Sequence, residues 1–274
     1  MMDRTAISSP SNPRIRAAAR LRDRRERDRT GFTLVDGARE VRRALEAGVE
    51  LVEAYVGPGL EARDDGPAIV AALDAAGVAW VAASDEALGR LAFGDRSEGV
   101  VAVIRPPSLA LAGLAPPADP LVVVAEGIEK PGNLGAILRS ADGAGADAVI
   151  VADARTDPFN PNAIRASLGT IFRLPLAAAT SAEALDWLLE RGIRVVAARA
   201  AAPDAYTSLD LRGPLAIVLG SEADGLTATW DDDRVTGARI PMHGVADSLN
   251  VSVAAAVLLY EAVRQRGASS GDGV

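Results

Sequence analysis

The chain has no cysteine, which excludes disulfides and every thiolate metal site. Histidine occurs once, as His243, so no second imidazole is present to share a metal ion, and no metal is expected. Lysine also occurs once, as Lys130, and the remaining positive charge is all arginine. Aromatic residues make up only 4% of the 274 residues. No apolar run reaches the roughly 18 residues a membrane helix needs, so no membrane partner is expected. The opening stretch MMDRTAISSPSNPRIRAAARLRDRRER carries no apolar segment ahead of a cleavage site and reads as no signal peptide. These absences together lead to an expectation of a cytoplasmic protein.

What is present is an alanine-rich, acidic chain with a net charge of -8 and a pI near 4.9, a balance that argues against coating nucleic acid through bulk charge. The charge is unevenly spread. Residues 1–29 hold nine arginines against four acids, a basic arm on an acidic protein. The bland alternative is a solvated helix face laced with pairs such as Arg22 with Glu26. After the arm, FTLVDG, AREVRRALEAG, LVEAYVG, AIVAALDAAG, VAWVAAS, DEALGRLAFG and GVVAVIR alternate strand and helix, giving a small α/β domain that closes at Arg105. The segment 106–120 contains five prolines and reads as a linker. Residues 121–266 then alternate LVVVAEGI, NLGAILRSADGAG, AVIVAD, PNAIRASLG, FRLPLAA, SAEALDWLLERG, RVVAARA, PLAIVLG and ARIPM, before a long helix from about Ser248 to Arg266. That alternation predicts a mostly parallel sheet covered on both faces. The polar tail 267–274 is expected to be disordered.

Three polar loops interrupt the second domain at strand ends. The first, EKPGNLGAILRSADGAG, carries Gly132 and Gly135 but lacks the G-x-G-x-x-G spacing, and no G-K-[ST] occurs in the chain. Leu134, Ile137, Leu138 and Ala141 form one apolar stripe, Asn133 is placed as an N-cap, and Arg139 lies off the stripe. Spacing alone does not put Asn133 and Arg139 on one helix face. The second loop, AIVLGSEADGL, brackets Glu222 with Gly220 and Gly225, where Glu222 alone could be a mere cap acid. The third, ARIPMHGVADSLNVSVAAAVLLYEAVRQR, puts Ser248 and Asn250 at the start of a helix so apolar that it should be buried, while His243 reads as a solvated loop residue. In an open parallel sheet such loops converge at the carboxyl edge of the strands, where ligands bind.

The stretches N-x-G-x-x-x-R (Asn133 to Arg139), L-G-S-E-x-x-G-L (Leu219 to Leu226) and I-P-M…S-L-N-V-S (Ile240 to Ser252) resemble, in order and spacing, the three motifs of the SpoU/TrmH family of RNA ribose 2′-O-methyltransferases. The S-x-x-N-P-R-I-R of Ser9 to Arg16 with LVDGAREVRRAL resembles that family's L30e-like substrate-binding domain. The resemblance covers nearly the whole chain. It implies an α/β fold: a parallel-sheet SPOUT catalytic domain with a C-terminal trefoil knot, preceded by the smaller L30e-like domain. It implies S-adenosylmethionine as cofactor, cradled at Ala198, Leu219, Gly220, Ile240 and Leu249. It implies a homodimer in which Arg139 reaches the neighbour's cofactor, with Asn133, Glu222, Ser248 and Asn250 positioning arginine, ribose and cofactor. Arg139 is either the activator of the 2′-hydroxyl or, since a free guanidinium stays protonated, the group that holds phosphate and the developing alkoxide. Asn12, Arg14 and Arg16 become candidate RNA contacts. The substrate class is structured RNA, ribosomal RNA (23S) before transfer RNA. The competing readings are a noncatalytic RNA-binding assembly factor, which would not need every motif position intact, and a nicotinamide-dependent dehydrogenase, which lacks its glycine fingerprint. Ala223-Asp224 departs from the small or basic residues expected beside Glu222, and His243 has no assigned role.

Overall fold

The structure, a computed structural model, describes residues 6–93 and 98–269. The start of the basic arm, the Gly94 end of DEALGRLAFG and the last five residues of the tail lie outside them. Two compact units divide the chain, 1–107 with Phe159–Arg173, and 108–158 with 174–274.

In the first unit, helices α1 (Pro13–Arg20) and α2 (Arg24–Thr30) precede a sheet of β1 (Thr33–Asp36), β2 (Leu51–Val56), β3 (Ala79–Ala82) and β4 (Val100–Ile104), with α3 (Ala38–Glu46), α4 (Pro58–Glu61), α5 (Gly66–Ala75) and α6 (Asp85–Gly89) between strands. The strand order is β1-β4-β2-β3. β4 is antiparallel to both of its neighbours, and β2 with β3 is parallel. Asn12 caps α1 by accepting from the Arg14 amide at 2.9 Å, with Pro13 at the position where a missing N–H costs nothing. Asp23 caps α2 in the same way. The Arg22–Glu26 pair of the alternative reading does not form, because the helix breaks at Leu21–Asp23 and Arg22 falls outside α2. Arg22 instead lies over the Phe93 ring at 4.6 Å and donates to the carbonyl of Ala92, while Glu26 pairs with Arg29.

The second unit is built on a fully parallel sheet of β5 (Leu121–Glu126), β6 (Ala148–Ala152), β7 (Leu176–Ala179), β8 (Arg194–Ala198), β9 (Leu215–Leu219) and β10 (Val235–Ala238), in the order β10-β8-β9-β5-β6-β7. The central strands are buried along their whole length, as expected when helices cover both faces. Those helices include α7 (Pro131–Gly143), α9 (Ser181–Glu190) and α10 (Val251–Ser269). α9 begins in a capping box between Thr180 and Glu183. Leu134, Ile137, Leu138 and Ala141 of α7 are fully buried, the stripe read from the sequence. Among the described residues of α10, Val251, Ala255, Leu258, Leu259 and Ala262 are buried, whereas Val253 and Tyr260 are 48% and 52% exposed, so the helix is not enclosed within one chain.

Four local readings differ. The strand near ARIPM lies earlier, at Val235–Ala238, where it matches β8 from Val195 to Ala198. Beyond it the chain turns away to pair Arg239 with Asp204 and Tyr206, and Pro241 has no N–H to continue a ladder. The helix α8 (Pro161–Ala166), inside Phe159–Arg173, packs with the first unit. Arg165 there meets the buried Asp36 carboxylate at 2.5 Å, and Thr33 donates to the Phe159 carbonyl at 2.8 Å. Of the proline-rich stretch, Ser108 onward belongs to the second unit, where Leu114 joins the core and the Leu109 carbonyl accepts from Ala178. α10 continues through Gly267 to Ser269.

Candidate active site at the carboxyl edge of the parallel sheet

The three polar loops do converge. They follow β5, β9 and β10, whose carboxyl ends face the same edge because the sheet is parallel. After β9 the chain folds back in a short hairpin. Ser221 and Gly225 exchange backbone hydrogen bonds at 3.1 and 3.0 Å, the Asp224 amide donates to Ser221 Oγ at 3.0 Å, and Gly225 takes φ +69°, a left-handed value. Gly220 packs directly on this turn. A Cβ there would overlap the Gly225 carbonyl.

Glu222, on the hairpin, is the meeting point of the three loops. Its Oε1 accepts from the side-chain amide of Asn133 and, at 3.2 Å, from that of Asn250; Asn250 Nδ2 also lies 3.3 Å from Asn133 Oδ1. Lys130 Nζ stands 3.6 Å from Glu222 Oε2. Asn133 is therefore not the N-cap of α7. Lys130 occupies that position, Pro131 and Gly132 follow, and Asn133 sits in the first turn with its side chain free to reach across to the hairpin. Asn250 does cap its helix, accepting from the Ser252 amide at 3.0 Å and the Ser252 hydroxyl at 2.7 Å through Oδ1, which leaves Nδ2 for the network. One side chain thus starts α10 and joins the cluster.

Beside the cluster is a cavity of about 220 Å³ at the ends of β8, β9 and β10. Ala198, Leu219, Gly220, Ile240 and Leu249 all line it, as do Glu222 and Ser248. Asp247 and Met242, which are not among the cofactor residues implied by the resemblance, also line it. Asp247 adjoins Ser248 in the same loop, so extending the motif by one residue would have found it. Asp224 is held by Arg155, which reaches Glu129 Oε1 at 2.5 Å and Asp224 Oδ2 at 2.8 Å. The hydrogen bond to Glu129, then that to Asp224, raises the Arg155 guanidinium above its ordinary range. The departure at Asp224 is thus matched by a cation at the end of β6, a position the strand-edge rule would have flagged. Arg139 does not join the cluster. It is exposed on α7 and makes no hydrogen bond or ion pair among the described residues. His243 is also exposed.

In the first unit, the three candidate RNA contacts separate. Asn12 spends its side-chain oxygen on the α1 cap, and Arg14 donates Nε to Glu53 at 2.7 Å, a bond that raises its pKa. Arg16 stays free and shares a concave surface with Arg20, Arg25 and Arg90, none of which enters a hydrogen bond or ion pair through its side chain among the described residues.

A parallel-sheet domain with a motif-lined cavity at its carboxyl edge and a separate unit bearing free arginines defines a class, and comparison with known proteins gives the family. Residues 120–260 match the SpoU rRNA Methylase family and residues 12–102 the MRM3-like substrate binding domain. The chain belongs to the SpoU rRNA Methylase family. It is 36% identical over 245 residues to the 23S rRNA (guanosine-2′-O-)-methyltransferase RlmB of Vibrio vulnificus, covering 85% of this chain and 97% of that one. A crystal structure of an RNA 2′-O ribose methyltransferase is 45% identical, with TM-score 0.84 over 95% of this chain and 99% of the other. AviRb of Streptomyces viridochromogenes, in complex with AdoMet, is 30% identical with TM-score 0.83 over 93% and 98%. S-adenosylmethionine is the cofactor of this family. The residues present fit it: Ala198, Leu249 and Ala254 offer small and apolar surface to a nucleoside, and the carboxylates of Glu222 and Asp247 suit a sulfonium cation.

Proposed function

We propose that this protein methylates a ribose 2′-hydroxyl of ribosomal RNA, a guanosine of 23S rRNA being the first candidate, and that it acts in the cytoplasm. The observation that carries the reading is the meeting of Asn133, Glu222 and Asn250 beside a cavity lined by Leu219, Gly220, Ile240 and Leu249. The near-complete overlap with a 23S rRNA enzyme favours ribosomal over transfer RNA. Bound S-adenosylmethionine supplies an electrophilic methyl group. The Asn133, Glu222 and Asn250 cluster fixes the loops that frame the cavity and orient the ribose. Ser248 faces the same cavity and positions the cofactor or ribose. Arg139, a cation with no partner among the described residues, holds the target phosphate and stabilises charge on the attacking oxygen. Incubation of unmodified 23S rRNA and of transfer RNA with the protein and methyl-labelled S-adenosylmethionine tests the substrate class. Label in 23S rRNA alone supports the reading, and label in transfer RNA alone overturns its first choice.

The functional unit in this reading is a homodimer, its terminal segment knotted as in SPOUT domains. Arg139 lies outside its own chain's Glu222 cluster, and the exposed Val253 and Tyr260 of α10 offer an apolar face to a second copy. Sedimentation equilibrium is expected to give twice the 28.2 kDa chain mass, and a monomer would remove this part of the proposal.

Arg16, Arg20, Arg25 and Arg90 form the RNA phosphate contact in the same account, with Arg14 secondary because Glu53 already neutralises it. Replacing Arg16, Arg20 and Arg25 by alanine is expected to flatten the dependence of log K on log salt by about 0.7 to 0.9 for each phosphate the protein no longer neutralises. Anisotropy titrations of an rRNA fragment across salt concentrations measure this. An unchanged slope would place the RNA elsewhere.

A further inference from the structure

Glu126 is the last residue of β5 and is 2% exposed. Four donors converge on its carboxylate. Oε1 accepts from Ser181 Oγ at 2.5 Å, Thr227 Oγ1 at 2.6 Å and Trp230 Nε1 at 2.9 Å, and Oε2 accepts from the Thr227 amide at 2.9 Å. No arginine or lysine pairs with it among the described residues. A buried carboxylate met only by neutral donors persists when those donors are held in place, and the bonds in turn hold the donors.

The donors come from two directions. Ser181 opens α9, the helix that follows β7, and also lies 2.6 Å from Asp153. Thr227 and Trp230 come from the chain that leaves the Ser221–Gly225 hairpin. That hairpin is closed by its own hydrogen bonds, and besides the contacts of Glu222 and Asp224 at its tip it is held in the molecule by its two feet. One foot, Leu219, is fixed in the sheet opposite Ala125 of β5. The other foot, Thr227, is fixed by Glu126, the very next residue of β5.

We propose that Glu126 is a positioning residue of the cofactor cavity: its carboxylate clamps the outer foot of the hairpin that carries Gly220, Ser221, Glu222 and Gly225. Glu222 then stands where Asn133 and Asn250 can reach it. This inference rests on the methyltransferase reading of the cavity and deepens it. Nothing in the motif stretches points to Glu126, which precedes the first of them and never touches the cavity.

The test uses the full chain and three substitutions, Glu126→Gln, Thr227→Val and Ser181→Ala, each measured for S-adenosylmethionine Kd by calorimetry and for Tm. Glutamine keeps the shape but sets an amide NH2 against an N–H donor whichever way it is turned. Glu126→Gln and Thr227→Val are expected to weaken cofactor binding by about tenfold or more, the scale for losing a hydrogen bond to a charged group. Ser181→Ala, which removes a donor from the α9 side of the same carboxylate, is expected to lower Tm while Kd stays within about twofold. Hydrogen exchange at the Ser221 and Gly225 amides is expected to quicken in the first two variants and not in the third, with or without cofactor. If Glu126→Gln does not fold, the contrast between Thr227→Val and Ser181→Ala carries the test. Equal Kd in all variants, or equal weakening by Thr227→Val and Ser181→Ala, overturns the positioning role. A wild-type protein that binds no S-adenosylmethionine overturns the methyltransferase reading itself, and the exchange data still report on the clamp.

Discussion

Arg139→Ala is expected to lower kcat by about 10²–10³-fold, the cost of removing one preorganised group that stabilises developing charge, while S-adenosylmethionine binding and Tm stay near wild type. The prediction combines two observations. Arg139 is exposed and unpartnered among the described residues, so its truncation breaks no bond of the free chain, and alanine is at least as good in a helix. It also lies off the buried stripe of α7, so no cavity forms. Arg139→Lys separates the two roles open for this residue. A guanidinium that grips phosphate with two N–H groups is poorly replaced by an ammonium, whereas a role as a point charge is largely restored. An Arg139→Ala protein with wild-type kcat would remove the arginine from the chemistry altogether.

Gly220→Ala is expected to abolish measurable cofactor binding. The added Cβ would overlap the carbonyl carbon and oxygen of Gly225 and lie 2.6 Å from the Leu226 nitrogen, all backbone atoms with nowhere to rotate. The hairpin must open, and with it the cavity wall formed by Gly220, Ser221, Glu222 and Gly225. Overpacking of this kind also costs about 1–3 kcal/mol of stability, so a lowered Tm accompanies the weakened affinity. Calorimetry with S-adenosylmethionine measures the first effect and thermal unfolding the second. Unchanged binding would mean that the hairpin does not shape the site.

What the sequence made legible follows physical locality. Strand runs such as LVVVAE and LAIVL are buried on both faces and read as strands whatever surrounds them. Asn250 could be read as a helix start because capping is a contact two residues away. Asn133 could not. Its local environment suits a cap, yet Pro131 lets the helix begin earlier, and the partner that claims its amide is Glu222, far along the chain. The same holds for PNAIRA, whose helix is evident in the sequence but whose packing with the first unit depends on the Arg165 contact with Asp36. An Arg22–Glu26 pair is ruled out by a helix break between α1 and α2 that no spacing rule detects. The sequence places the strand near ARIPM rather than at Val235–Ala238 because the apolar Ile240 and Met242 imitate a strand, whereas in the fold they line the cavity. The cavity residues Leu219, Gly220, Ile240 and Leu249 are legible through family resemblance rather than through their own chemistry. A site of small and apolar residues at strand ends carries no charged signature of its own.

The most direct measurement is nucleoside mass spectrometry of unmodified 23S rRNA after incubation with the purified protein and S-adenosylmethionine, with Arg139→Ala in parallel. The account predicts a single 2′-O-methylated nucleoside, first guanosine, present with wild type and nearly absent with the variant. A methyl group on a base rather than the ribose, or an unmodified digest from a protein that binds both RNA and cofactor, would contradict it.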